Sequence, residues 1–247
     1  MSLQDRPDAA NSNLLLAALP HQTYERLISK MTLVQMPLGK VLCHAGDVLH
    51  HAYFLNNGMV SLISTTQSGS SIEVGMVGRE GVVGLSIILG MGETPYEMNV
   101  QVEVESAWRI SAEAFKEEFK RGGKFQEVLL NYMHVLLKQL SQSAVCNRFH
   151  TTEERFGRWL LIARDRVSSS TLHLTQEIIG QMLGIPRTGV TMTAGNFQRE
   201  GLIRYSRGKI TILDPDRLEA RACECYEITK ESFDNYLNST SDNFHTP

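Results

Sequence analysis

The residues with the clearest chemistry lie late in the chain. Thr175-Gln176-Glu177-Ile178-Ile179-Gly180-Gln181-Met182-Leu183-Gly184 is followed by Ile185-Pro186-Arg187-Thr188-Gly189-Val190-Thr191-Met192. Then come Leu202-Ile203-Arg204-Tyr205 and Lys209-Ile210-Thr211-Ile212-Leu213, separated by Ser206-Arg207-Gly208. Thr175 offers a capping oxygen, and Gly184 can adopt the left-handed conformation past a helix end. Pro186 suits the first turn of a second helix, where its missing N–H has no intrahelical partner. Two short helices joined by a glycine turn make a helix-turn-helix, and the following hairpin, with Gly208 in its turn, completes a winged helix. From Leu172 to Leu213, five basic residues (Arg187, Arg199, Arg204, Arg207, Lys209) oppose two acidic ones (Glu177, Glu200), a local net of +3 in a chain of net −3.

Such a unit recognises double-stranded DNA. The major groove of B-DNA admits one α-helix, so the residues from Pro186 to Met192 would meet base edges. Arg187 can donate two hydrogen bonds to guanine, Thr188 and Thr191 can contact a base or a phosphate, and Met192 can touch a thymine methyl. Arg204, Arg207 and Lys209, with Thr175 and Gln176 at the start of the first helix, complete the candidate DNA contacts and would fix register on the phosphates. The competing reading is a ligand-sensing module whose winged helix binds another protein. Salt dependence separates the two, because only phosphate contacts release counterions.

The chain must position this unit with what precedes it. Its 247 residues contain 42% hydrophobic and 21% charged residues, enough apolar material for two modest domains and too little charge for a mainly disordered chain. The 24 basic residues against 27 acidic ones exclude a protein that coats nucleic acid by charge alone. From Leu33 to Ile110, short β-rich runs (Lys40–Leu42, Tyr53–Leu55, Met59–Ile63, Ile72–Met76, Val100–Val104) alternate with glycines, which predicts a β-sandwich or jelly-roll barrel. A short helix after Ser111 ends near Gly122-Gly123. A long helix follows from Phe125 to Asn147, with Phe125, Val128, Leu129, Tyr132, Leu136 and Leu140 on its apolar face, roughly 34 Å in length. That face is wide enough to serve both its own domain and a second helix, and the same residues are the expected seam between two copies; a helix packed only on its own β-domain is the alternative. Thr151 and Glu154 have the spacing of a capping box. The expected fold is α+β, with a sensor barrel over residues 14–122, a dimerisation helix over 123–149, a winged helix-turn-helix over 150–237 and a disordered tail over 238–247. A last helix from Asp216 to about Leu237 is expected to pack on the winged domain.

The chain resembles the Crp/Fnr family of bacterial transcription regulators over nearly its whole length. The matching features are Gly39…Gly46-Asp47…Tyr53-Phe54-Leu55…Gly58-Met59-Val60, the long helix, and Leu174-Thr175-Gln176-Glu177-Ile178-Ile179-Gly180. The resemblance implies a homodimer, a cyclic-nucleotide-binding-type sensor, winged helices on a palindromic operator, and RNA polymerase as a further partner. Two departures stand out. Nucleotide-binding members carry glycine-glutamate for the ribose and an arginine for the cyclic phosphate; here Leu85 follows Gly84, and Thr94-Pro95-Tyr96-Glu97-Met98-Asn99 has no arginine. A buried phosphate needs a paired charge, so no cyclic-nucleotide cofactor is expected and the effector stays open. In the recognition helix Thr188 replaces a common glutamate and Met192 a frequent second arginine, so the operator should differ from the best-known family sites.

The remaining signals are weaker. Cys43, Cys146, Cys223 and Cys225 are too few for a disulfide framework and have no usual four-ligand spacing, so they read as ordinary thiols in a reducing cytoplasm, with no metal site. His44, His50 and His51 read as loop residues. No catalytic motif, export signal or membrane-spanning run occurs.

Overall fold

The computed structural model describes residues 13–90, 92–167 and 169–241. Helices α1 (Leu14–Ala17) and α2 (His21–Ile28) lead into seven strands: β1 (Thr32–Met36), β2 (Val41–Cys43), β3 (His51–Leu55), β4 (Met59–Thr65), β5 (Ser71–Val77), β6 (Glu97–Val102) and β7 (Val104–Ser111). They form two antiparallel sheets, ordered β1-β7-β3 and β2-β6-β4-β5. The fold is α+β as expected, but the sheets do not close into a barrel; they face each other as a sandwich. Phe54, Ala107 and Ile110 from one sheet and Val60, Leu62 and Val100 from the other share one buried core.

The β-rich run Val100–Val104 is not one strand. β6 ends at Val102 in the four-stranded sheet, and β7 begins at Val104 in the three-stranded one. The chain changes sheets at this corner, as sandwich strands do. Gly58 makes the corner possible: its φ is +74°, and a Cβ there would lie 2.4 Å from the Glu103 carbonyl oxygen.

The helices follow their local signals. α3 (Ala112–Lys120) is capped by Ser111, whose Oγ accepts from the Ala114 N–H at 3.2 Å. The long helix α4 (Gly123–Phe149) is succeeded by α5 (Thr152–Val167). Between them Thr151 and Glu154 form the capping box, with Thr151 N–H donating to Glu154 Oε2 at 2.7 Å and Glu154 N–H to Thr151 Oγ1 at 3.4 Å. Then come β8 (Thr171–His173), α6 (Gln176–Leu183), α7 (Arg187–Arg199), β9 (Ile203–Ser206), β10 (Lys209–Ile212), α8 (Pro215–Glu219) and α9 (Cys225–Ser241).

Three expectations need correction. The residues of α4 assigned to a seam between copies, Phe125, Val128, Leu129, Tyr132 and Leu136, are buried in their own protomer's sandwich core, and Leu140 is partly buried against it. Periodicity identified the apolar face but not its partner. The apolar side chains that α4 leaves exposed are Leu130, Leu137, Ala144, Val145 and Phe149. The last helix packs on the winged unit at its start, where Tyr226 joins that unit's apolar cluster and its hydroxyl donates to Asp165 at 2.8 Å, but not along its length. α9 lies along α4, and its Phe233 and Tyr236 join the sandwich core, with the Tyr236 ring 6.0 Å from that of Tyr132. Its helix continues through Ser241, so the expected disordered tail begins inside it; the rest of that tail, 242–247, lies outside the described residues.

The winged unit is joined tightly to the sandwich. Met59, Ile63 and Met76 belong to the same apolar cluster as Phe156, Trp159 and Leu160 of α5. Arg166 of α5 donates to Glu80 at 2.7 Å, both residues buried, and the Gly78 N–H donates to the same carboxylate oxygen at 2.9 Å. Arg166 also stacks over Phe233 of α9, 4.8 Å from the ring centroid.

Candidate nucleic-acid interface

The start of α6 is set by Thr175, whose side chain accepts from the Ile178 N–H at 3.2 Å, and its end by Gly184 at φ +62°. The turn brings α7 close to α6: a Cβ on Gly180 would lie 2.9 Å from the Ile185 carbonyl oxygen. Ile179, Met182 and Leu183 of α6 and Val190, Ala194 and Phe197 of α7 are buried together, and the Phe197 ring stacks on Phe156 of α5 at 5.6 Å. This core fixes which face of α7 is left outside. On that face Arg187, Thr188, Thr191 and Met192 are exposed, Met192 to 71%.

Pro186 is the N-cap of α7, with ψ 150°, and not a residue of its first turn; no side chain caps the helix start. The N-terminal amides of a helix lack intrahelical acceptors, so this end of α7 can receive an anion. Gln176 positions the neighbouring side chains. Its Oε1 accepts from Arg187 Nε at 3.1 Å and lies 3.2 Å from the Thr191 hydroxyl. Thr191 Oγ1 is also 3.0 Å from the Arg187 carbonyl.

The wing is a three-stranded sheet ordered β8-β10-β9. Ser206 pairs with Lys209, and the two residues between them both have positive φ, Arg207 at 50° and Gly208 at 72°. That is the backbone of a type I′ hairpin turn. Leu174 N–H donates to the Gly208 carbonyl at 2.7 Å, and the Tyr205 hydroxyl donates to the Leu174 carbonyl at 3.1 Å, so the turn is held against the entrance to α6. Arg204, Arg207 and Lys209 are exposed.

Between α6, α7 and the wing runs a cleft of about 610 Å³, lined among others by Gln176, Arg187, Thr191, Gln198, Tyr205 and Arg207. Of the residues expected from the sequence, it gathers Thr175, Gln176, Arg187, Thr191 and Arg207; Pro186, Thr188, Met192, Arg204 and Lys209 are exposed but do not line it. Gln198 was missed. It follows Thr191 by seven residues, two helical turns, which puts it on the same face, and its Oε1 accepts from the Tyr205 N–H at 2.8 Å, tying α7 to the wing.

In the sandwich, Leu85 is buried in the core within a short 3₁₀ turn (Leu85–Ile87) that follows Gly84 at φ +109°. Thr94 Oγ1 is 2.7 Å from the Tyr96 carbonyl. His44 Nδ1 lies 3.0 Å from Glu97 Oε2, and His51 lies in β3, not in a loop, where burial lowers its pKa. Three of the four cysteines cluster: Cys146, Cys223 and Cys225 lie together with His150, while Cys43 ends β2 in the sandwich.

Comparison with known proteins agrees with this architecture. The model for the cyclic nucleotide-binding domain matches residues 33–121, and that for the Crp-like helix-turn-helix domain matches residues 154–221; together they span more than half of the chain. The global nitrogen regulator of Synechococcus elongatus is 23% identical over 214 residues, 83% of this chain and 96% of that protein. The transcriptional activator protein anr of Pseudomonas aeruginosa is 26% identical over 192 residues, 74% of this chain and 78% of that protein. Among solved structures, FixK2 from Bradyrhizobium japonicum superposes with a TM-score of 0.67 at 14% identity, covering 78% of this chain and 98% of its own. A nucleotide-binding-type sandwich followed by a winged helix-turn-helix, in that order and matched by regulators along most of its length, places the chain in the Crp/Fnr family of transcription regulators.

Proposed function

We propose that the protein regulates transcription as a homodimer on a palindromic operator in double-stranded DNA, each copy placing the N-terminal half of α7 in a major groove. Residues 14–122 form the sensor, 123–149 the helix that joins two copies, and 150–237 the DNA reader. The observation that carries this reading is the cleft between α7 and the wing, where Arg187, held by Gln176, and Arg207 put cations on both walls. Arg187 with Thr188, Thr191 and Met192 reads bases, while Arg204, Arg207 and Lys209 hold phosphates. Twofold symmetry sets the half-sites about 34 Å apart. Support for pairing comes from Leu130, Leu137 and Ala144, exposed at seven-residue intervals on α4.

The protein works by binding rather than catalysis, in the cytoplasm, with RNA polymerase as the machinery it acts on. No helix among the described residues is long and apolar enough to cross a membrane. The sensor takes no cAMP, because the position expected to carry a ribose-binding carboxylate is the buried Leu85 and the stretch from Thr94 to Asn99 offers no arginine for the phosphate.

Selection of bound fragments from random duplexes, with and without cAMP, followed by titration at rising salt, tests this. A palindromic site, binding that weakens steeply with salt and indifference to cAMP are the expected results. DNA affinity insensitive both to salt and to Arg187→Ala would assign the winged helix to a protein partner, and stronger binding with cAMP would overturn the reading of the sensor.

A further inference from the structure

The joint between α4 and α5 holds a side-chain cluster that DNA reading does not use. Cys146 and His150 are one helical turn apart at the end of α4, and Cys223 and Cys225 bracket the start of α9. Their donor atoms all lie within 4.8 Å of one another. Cys146 Sγ is 3.5 Å from Cys223 Sγ, and Cys225 Sγ is 3.5 Å from His150 Nδ1. The three cysteines are buried, none is in a disulfide, and they form a cluster of their own apart from the two apolar cores.

We propose that Cys146, His150, Cys223 and Cys225 bind one divalent metal ion of the zinc class, which clamps the end of α4 to the start of α9. A tetrahedral ion with metal–sulfur bonds of about 2.3 Å keeps its ligand atoms about 3.8 Å apart, close to the separations seen here. A four-iron cluster does not fit so compact a set, since its own iron and sulfide atoms would have to stand between the cysteine sulfurs. Three thiolates and one imidazole are the soft donors of a closed structural zinc site.

The surrounding groups fit as well. His150 Nε2 is 3.2 Å from a carboxylate oxygen of Glu224, which turns Nδ1 toward the thiols, and a carboxylate behind a histidine is the usual support of a metal ligand. Gln142 Nε2 donates to Cys225 Sγ at 3.0 Å. On binding, the ion takes the electron pairs of three sulfurs and Nδ1, the three thiol protons leave to solvent, and no electron is transferred. Because His150 ends α4 and Thr152 begins α5, the ion would fasten the corner between the sandwich helix and the winged unit. This inference does not depend on DNA binding.

The test uses the full chain, reduced and stripped of metal, titrated with Co²⁺ alone and then with Zn²⁺. One Co²⁺ per chain is expected, with the visible bands of a tetrahedral thiolate site and a thiolate charge-transfer band, bleached by one equivalent of Zn²⁺. Cys223→Ser should abolish the charge-transfer band at stoichiometric cobalt, whereas Cys43→Ser should leave the spectrum unchanged. Zinc should also slow amide exchange at residues 146–154 and 222–226. The proposal is overturned if the unsubstituted chain gives no tetrahedral cobalt spectrum, if a folded Cys223→Ser chain retains it, or if zinc leaves exchange at the joint unaltered. The unsubstituted titration decides the matter even where a variant fails to fold.

Discussion

Trp159 donates its indole N–H to Glu73 Oε1 at 2.8 Å, joining the first helix of the winged unit to a strand of the sandwich. The Ser61 hydroxyl donates to the other oxygen of that carboxylate at 2.5 Å. Glu73 is buried, and burial pushes its pKa from 4.5 up to about 7, against the opposing pull of these two hydrogen bonds. A carboxyl with a raised pKa binds its proton more tightly in the folded chain than in the unfolded one. Its stabilising contribution is therefore full below pH 4.5 and falls away as pH rises toward 7, a difference on the order of 3 kcal/mol. Glu73→Gln, which can accept from Trp159 without ionising, should flatten this part of the profile. Urea unfolding from pH 5 to 8 measures it; equal slopes in the two proteins would remove Glu73 as the cause.

Arg187 and Lys209 are both exposed cations of the winged unit, yet their substitutions should read out differently. If Arg187 reads a base as proposed, Arg187→Ala should relax preference at one base pair per half-site, by about 1–3 kcal/mol. If Lys209 holds a phosphate as proposed, Lys209→Ala should weaken all sequences alike while lowering the salt slope by about 1 per copy. Binding titrations on the selected operator and its single-base variants, repeated across salt concentrations, separate the two effects.

The glycines at 180 and 195 give a matched pair. A methyl at Gly180 would press on the Ile185 carbonyl oxygen at 2.9 Å, a backbone atom that can yield only by moving the turn between α6 and α7. A methyl at Gly195, inside α7, meets nothing within 4 Å. Gly180→Ala should cost about 1–3 kcal/mol through overpacking, and Gly195→Ala should stabilise by up to about 1 kcal/mol through helix propensity. Thermal unfolding of both variants checks the sign as well as the size.

The caps at Thr175 and Thr151 and the stop at Gly184 were legible in the sequence because each is a contact within a few residues of itself. The recognition helix was legible for the same reason, its start marked by Gly184 and Pro186 within a few residues of each other. What stayed hidden needed contacts between distant positions. Cys146 and Cys223 are 77 residues apart, so spacing showed two separate pairs, Cys146 with His150 four apart and Cys223 with Cys225 two apart, but not that they meet. Glu73 looked like any strand carboxylate until Trp159, 86 residues later, was packed on it. The apolar stripe of α4 left its partner open, because a sandwich core and a second copy both call for the same residue types.

The exposed and buried faces of α4 yield the last prediction. Leu137 is 57% exposed, whereas Leu129 is fully buried in the sandwich core. A charge at Leu137 costs the isolated protomer little, since the side chain already faces water, but in a parallel pair of helices the same position would oppose its own copy and bring two carboxylates together. Leu137→Glu should therefore yield monomers with nearly unchanged unfolding, while Leu129→Ala should cost about 2–5 kcal/mol through the cavity left behind. Light scattering coupled to size exclusion reports the first outcome and denaturant titration the second. A Leu137→Glu protein that still elutes as a dimer would place the seam elsewhere, and loss of operator affinity in step with loss of the dimer would tie the two copies to one palindrome.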